Sequence, residues 1–451
     1  MRHLCPKDEI EISRKFQSTI NMTIKKYLNK TETGSLIKAL AVLGLLSAGL
    51  VNPLTAQEAS KDSASVWKKM QEPKAIKIDG KKIEITQSMQ LWNVHTLETL
   101  GNETHERRND MYIRRGRLGV KGNLQEDVSF NVAFAYDGIG RDKKTAGNGS
   151  PNPDDNHDFF LWEAFINWAY TPMLNITTGY FRPQVGREHM TAAFKTQSFE
   201  KSLSNFQPRA HAIARGTGRE LGLNIGGLHL GSGWSFNYNL GVFDMSAEKL
   251  VGEVAGWAPM IASRLAFTLG DPEMKQYGIG YTHSYYGKRK GITFGLNSTY
   301  QRESEIFKSN SFYGADVLAN WGAWDFTVEY DWLYRSSILQ KEVTDISPIV
   351  TQATTDKVYT YKLAYNHVLN NGKVLQAAGM YSGQLADNYG SNGGLNSLTG
   401  ASDQQVYDLG INYLLKQDNL KLSLHYVWGE RKDKAPDQYY SYLGTGFQFL
   451  F

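Results

Sequence analysis

Seven basic side chains within 38 residues, Arg182, Arg187, Lys195, Lys201, Arg209, Arg215 and Arg219, are set against only two carboxylates, Glu188 and Glu200. A guanidinium is a permanently charged, rigid fork of donors whose geometry suits oxyanions such as phosphate. Rings of Arg and Lys are also what makes a pore select anions. A shorter basic run precedes this one: Arg115, Arg117 and Lys121 share one face of an alternating segment, opposite Leu118 and Val120. Arg114 falls out of phase, near the end of that segment. An ion pair tethering the chain is the commoner role for any single cation, so the cluster carries the reading rather than a member of it.

Other chemistry finds less support. The run NPDDNHD (152–158) spaces Asp154, Asn156 and Asp158 as a calcium loop does, but lacks the glycine and terminal glutamate of an EF-hand. The glycine-rich run GTGRELGLNIGG opens a strand rather than a helix, which argues against a nucleotide-phosphate loop. His189 and His211 read as packed loop residues rather than titrating groups. No Ser/His/Asp set has a local context for nucleophilic catalysis, and no cofactor or metal is expected. Cys5 is the only cysteine, so disulfides, thiol catalysis and cysteine metal sites are not expected.

The elements that must position the basic cluster are strands. The chain has 451 residues, 41% of them hydrophobic and 12% aromatic, with a mean hydropathy of −0.43. It holds no apolar run long enough for a membrane helix. From Ile83 onward, segments of roughly ten residues alternate apolar with small or polar side chains, separated by Gly/Asn/Asp-rich breaks. Trp324, Phe326, Val328, Tyr330 and Trp332 alternate with Asp325, Thr327, Glu329 and Asp331; Trp162, Ala164, Ile166, Trp168 and Tyr170 alternate with Glu163, Phe165, Asn167 and Ala169. Aromatic residues sit at the ends of the apolar faces, as they do where strands cross the two lipid–water interfaces. Short turns alternate with long loops. This pattern predicts an all-β fold, a transmembrane antiparallel β-barrel in outer-membrane lipid, wet inside. Asp137, Glu163 and Glu329 would then be lumen acids that offset part of the positive field. Seventeen candidate strands can be counted, whereas a closed antiparallel barrel of this kind needs an even number. The mismatch lies between about 243 and 310, where Gly287–Gly291 reads either as an outer loop or as an inner turn. Sixteen strands are expected, with eighteen the alternative. The basic connection 182–219 follows the fifth strand as a long third loop, free to fold into the lumen.

The first 56 residues differ. Lys25, Lys26, Lys30 and Lys38 precede an apolar run from Ala39 to Val51, and small residues lead to an expected cut between Ala56 and Gln57. This is the pattern of a secretory signal peptide, with Met22 a plausible true start. Residues 57–82 read as a polar periplasmic lead-in and 83–451 as the barrel. Eight of the 49 basic and four of the 45 acidic residues lie in 1–56, leaving 41 of each. Net charge therefore gives no reason to expect nucleic acid as a partner. The last segment places Leu443, Thr445, Phe447, Phe449 and Phe451 on one face. A terminal aromatic on an alternating strand resembles the signal by which outer-membrane barrels are recognised for insertion.

RRGRLGVKGNLQEDVSF (114–130) resembles the first hairpin of the phosphate-selective porin O and P family. The run 176–209, ITTGYFRPQVGREHMTAAFKTQSFEKSLSNFQPR, is similar to that family's strand and inward-folding third loop, and YGADVLANWGAWDFTVEYDWL (313–333) and the Phe-terminated strand continue the match. The resemblance implies a 16-stranded barrel that assembles as a homotrimer and passes anions through an arginine-lined constriction. The implied pore-lining residues are Arg115, Arg117, Lys121, Arg182, Arg187, Lys195, Arg209, Arg215 and Arg219. The family's arginine ladder is sparse here, since Arg209, Arg215 and Arg219 are spaced by six and four. The expected function is a passive channel for inorganic anions or small polar solutes. The alternatives are a non-selective diffusion porin and, from other classes, an outer-membrane lipid hydrolase or an adhesive barrel.

Overall fold

A computed structural model describes residues 75–78, 81–100, 106–142, 144–146, 159–213, 216–245, 258–303, 307–338, 353–387, 402–432 and 438–451. The expected leader, its cut, most of the lead-in, Arg215 and the 152–158 run lie outside them.

A short strand β1 (Ala75–Ile78) pairs with the start of β2 (Lys81–Leu100). There follow β3 (Asn109–Asn123), β4 (Val128–Ile139), β5 (Phe160–Thr171), β6 (Leu174–Phe181), β7 (Glu220–Leu230), β8 (Trp234–Asp244) and β9 (Met260–Gly270). The second half comprises β10 (Gly291–Gln301), β11 (Phe307–Trp321), β12 (Trp324–Ile338), β13 (Thr354–Val368), β14 (Val374–Leu385), β15 (Asp403–Leu414), β16 (Leu420–Lys432) and β17 (Gln438–Leu450). From β2 to β17 each strand pairs antiparallel with its neighbours, and β17 pairs with β2. The sheet thus closes as a barrel of 16 strands, leaving no edge and no unpaired backbone toward lipid.

The alternation read in the sequence sorts side chains by face. On β12, Trp324, Phe326 and Trp332 are exposed on the outer wall, while Asp325, Thr327, Glu329 and Asp331 are buried inside. Outer aromatic rings form belts. Tyr330, Tyr359, Tyr381, Tyr407 and Trp428 follow one another across β12–β16, with the last three rings 4.8 and 4.9 Å apart. Trp324 and Tyr365 meet edge-on nearer the short turns, at 4.8 Å.

Four register shifts break the alternation among the described strands, and two of them bear on the basic cluster. Gln90 pairs with Arg115 but Leu91 with Ile113, so Arg114 is an extra residue on β3. Arg114 and Arg115 therefore both turn inward and both are buried. Ala133 pairs with Glu163 but Phe134 with Leu161, which makes Trp162 extra on β5. Trp162 is not a belt residue, as the alternation suggested; it turns inward together with Glu163.

The surplus strand of the sequence count is explained by residues 271–290. They form no named strand but an inner connection of 20 residues between β9 and β10, on the rim of the short turns. Its Tyr/Gly/Ser pattern imitates strand alternation.

Candidate functional site

The connection 182–219 bonds to inward-facing side chains of β2, β3, β5 and β11–β17. Gly186 opens a one-turn helix, α1 (Arg187–Met190), at a φ of 89°. A Cβ there would lie 2.2 Å from Glu329 Oε1, so glycine is needed both for the backbone and for the close approach. A second helix, α2 (Leu203–Ala212), starts at Ser202. Leu203 N–H donates to Ser382 Oγ (3.0 Å), and Asn310 Nδ2 donates to the His211 carbonyl (2.9 Å). Val185, Phe199, Leu203, Ala212 and Ile213 join an apolar cluster with inward residues such as Trp92, Phe181, Phe312 and Tyr442. Burial of these side chains, each worth roughly 1.5–3 kcal/mol, favours this placement.

Near β3 the site is basic. Arg114 Nη2 lies 2.6 Å from Glu200 Oε2, and Arg115 pairs with the other oxygen of the same carboxylate. Burial pushes the Glu200 carboxyl up, but the two arginines outweigh it and hold it at about 2. Arg115 also donates to Gln90 Oε1 (3.0 Å), Gln90 to Gln448 Oε1 (2.7 Å), and Gln448 to the Phe194 carbonyl (2.9 Å). Segment 194–200 thereby lies across the junction of β2 and β17. Because Glu200 has a depressed pKa, its stabilisation is complete above its ordinary 4.5 and is lost as pH falls toward 2. The expected size is roughly 3 kcal/mol. Urea midpoints taken from pH 5 to pH 2 should fall more steeply for the wild type than for Glu200→Gln.

Beside this pair, Trp162 is sandwiched between two guanidiniums, Arg117 at 3.8 Å and Arg219 at 3.7 Å from its ring. Arg117 pairs with Asp137. Arg219 donates to Glu163 Oε1 at 2.7 Å, and Arg182 lies 3.6 Å from the same oxygen. Arg182 also donates to the carbonyls of His189 and Met190. Trp162→Leu removes the ring on which both guanidiniums stack and is expected to cost about 2–3 kcal/mol, measured by urea unfolding in detergent.

Across the lumen the site is acidic. Arg187 is fully buried; it donates through Nε to Asp316 (2.6 Å) and through both terminal nitrogens to Glu273 (2.9 and 2.6 Å). Asp316 is shared with Arg264. Glu188 lies 2.7 Å from Lys362 Nζ and 2.8 Å from His283 Nε2. Burial pushes the Glu188 carboxyl up, but Lys362 and His283 hold it well below its ordinary range. Glu329 accepts from the Glu188 backbone N–H, and Asp331 is buried next to it on the same face.

The nine sequence-derived residues thus divide. Arg115, Arg117, Arg182, Arg187 and Arg219 are bonded to carboxylates, and Lys121 is half-exposed, 3.3 Å from Glu84. Lys195 is exposed and borders a cavity of 390 Å³ with Tyr285, Tyr286 and Asp418. Arg209 on α2 is partly exposed and makes no ion pair among the described residues; its guanidinium lies over the Phe206 ring at 5.4 Å. Burial, then Arg115 and Arg114, lower its pKa to about 10, as befits a cation in a positive field. His189 is buried, and burial with Arg182 and Lys201 holds it well below its ordinary pKa, hence neutral. His211 packs against the Ser311 carbonyl at 2.8 Å.

Sequence reasoning missed Glu200, Asp316 and Glu273 as partners, because they are remote along the chain and only the fold joins them. It set aside Arg114 and misplaced Trp162, since a bulge of one residue has no signature in an alternating pattern.

Comparison with known proteins agrees with the geometry. No curated protein matches. Among solved structures, an anion-selective porin from Comamonas acidovorans has a TM-score of 0.53 at 11% identity, covering 82% of this chain and 100% of that one. OprB of Pseudomonas putida, in a high-pH structure, has a TM-score of 0.53 at 10% identity, over 82% and 94%. OmpF of Salmonella typhi, in complex with daunomycin, has 0.50 at 12%, over 83% and 100%. These likenesses are of fold. The family model for phosphate-selective porin O and P matches residues 85–451. A closed 16-stranded barrel with a polar interior, matched by that model from residue 85 to 451, is an outer-membrane channel, and the chain belongs to the phosphate-selective porin O and P family.

Proposed function

We propose that this channel passes small hydrophilic solutes passively and prefers small anions, phosphate among them, with 182–219 folded inward as the constriction. The observation that supports this most is Arg209, a cation that makes no ion pair among the described residues, placed beside Arg114 and Arg115, which share the single carboxylate of Glu200. Among the described residues, Arg117, Arg182 and Arg219 stand on the same side of the lumen, held by the carboxylates of Asp137 and Glu163. The paired arginines hold the wall together and supply the field; Arg209 and Lys195 supply the contacts. A solute drawn to such groups leaves again because each contact is weak.

The test is reversal potential in a planar bilayer under a salt gradient. A potential near that of chloride, with chloride current reduced by added phosphate, is the expected result. A cation-directed potential would remove the anion reading, and a potential of zero would leave a general diffusion porin. Two further proposals come from the sequence. The leader 1–56 is removed at Ala56/Gln57, which N-terminal sequencing of outer-membrane material would test. The barrel assembles as a homotrimer, which native mass spectrometry in detergent would test.

A further inference from the structure

The connection 271–290 leaves the barrel and returns to it at one rung. Gly270 pairs with Gly291, Asp271 N–H donates to the Lys290 carbonyl (2.8 Å), and Lys290 N–H donates to Asp271 Oδ2 (2.8 Å). Residues 272–289 are therefore an excursion whose removal leaves the β9–β10 register intact. They are also anchored at many points. Tyr277 Oη donates to Asn239 (2.6 Å) and accepts from Asn224 (2.8 Å), and Tyr281 Oη donates to Asn237 (2.8 Å). Ser284 donates to Asp325 and accepts from Gln376, and Arg289 donates to Asn320. The excursion meets 182–219, which arrives from the opposite rim, through Glu273–Arg187, His283–Glu188 and a backbone bridge between Thr191 and Tyr281.

These wall anchors belong to strands from β7 to β14, and one further contact, from Tyr286 Oη to the Asp418 carboxylate, reaches the turn between β15 and β16. The inward groups there are sealed: Ser235, Asn237, Thr293, Thr327 and Asn366 are each at most 5% exposed. On the other side, at the same rim, Ser129, Asn131 and Asn167 are partly exposed, and Lys121 and Asn123 are exposed.

We propose that 272–289 is a fixed plug that closes the β7–β14 sector of the lumen from the short-turn rim and confines solute to the sector lined by β2–β5. The plug makes the channel narrower than 182–219 alone would, so compact ions pass and oligosaccharides are excluded. This rests on the channel fold and not on anion preference, which could fail without affecting it.

Replacing 272–289 by Asn-Gly, a turn suited to a two-residue hairpin, tests the plug directly. Single-channel conductance should rise about twofold or more as the sealed sector opens, and a trisaccharide should enter proteoliposomes. Unchanged conductance in a variant that keeps the heat-modifiable mobility of a folded barrel overturns the proposal. A second measurement keeps the whole chain. In a Cys5→Ser background, Ser129→Cys and Ser235→Cys stand near the same rim on opposite sectors. A charged methanethiosulfonate should cut the current by about half at position 129 and leave it unchanged at 235. Any other pattern overturns the proposal.

Discussion

Arg209→Glu is expected to abolish anion preference and move the reversal potential toward the cation side. The substitution changes the local charge by two units next to the path. Two charges at about 6 Å in water amount to roughly 1.4 kcal/mol, or about tenfold in the anion-to-cation permeability ratio. Arg209 takes part in no ion pair among the described residues, so little of the wall should be lost with it. Arg209→Gln should give an intermediate ratio. A ratio unchanged in both variants would place the selecting groups elsewhere, at Lys195 or beyond.

Arg187→Met should be the most destabilising substitution in 182–219, by about 3–5 kcal/mol. Met replaces much of the volume but leaves the buried Glu273 carboxylate without its partner and deprives Asp316 of one of its two arginines. Burial pushes the Glu273 carboxyl up and Arg187 overcomes this to hold it down, so in the variant that carboxylate takes up a proton more readily. Urea unfolding in detergent measures the loss, and single-channel records should show added open-state noise. Arg187→Lys should recover only part of the stability, because one ammonium cannot reach two carboxylates with the geometry of a planar fork. A midpoint equal to that of the wild type would mean that the contact contributes nothing net.

What was legible in the sequence follows from the physics of the strand. Inward and outward environments differ sharply in a membrane barrel, so alternation on β12 or β16 declares itself, and the turns between strands declare themselves through Gly, Asn and Asp. A bulge leaves no such mark: Arg114 and Trp162 read as out of phase and as outer-facing because one extra residue inverts every parity argument beyond it. The excursion at 271–290 falls in the stretch where the strand count stayed odd, because tyrosines and glycines packing against a polar wall resemble a strand. The arginine cluster was visible, but how it is used was not. Its carboxylate partners come from β4, β5, β11 and the inner connection, and pairing at that separation is a product of the closed barrel.

The glutamines where β2 meets β17 also bear on assembly. Gln90 and Gln448 are 358 residues apart, and between them they bond to the carbonyls of Ala193 and Phe194 and to Arg115. The pairing of greatest sequence separation is the one with the largest entropic cost to form. Segment 193–200 bridges that pairing from within, like a clasp over a zip. A nascent sheet can thus build its fifteen consecutive hairpin contacts locally, but its last rung becomes secure only when the clasp is in place. Variants such as Gln448→Leu, harmless to each hairpin, should therefore slow the final refolding phase in detergent while leaving the earlier ones unchanged.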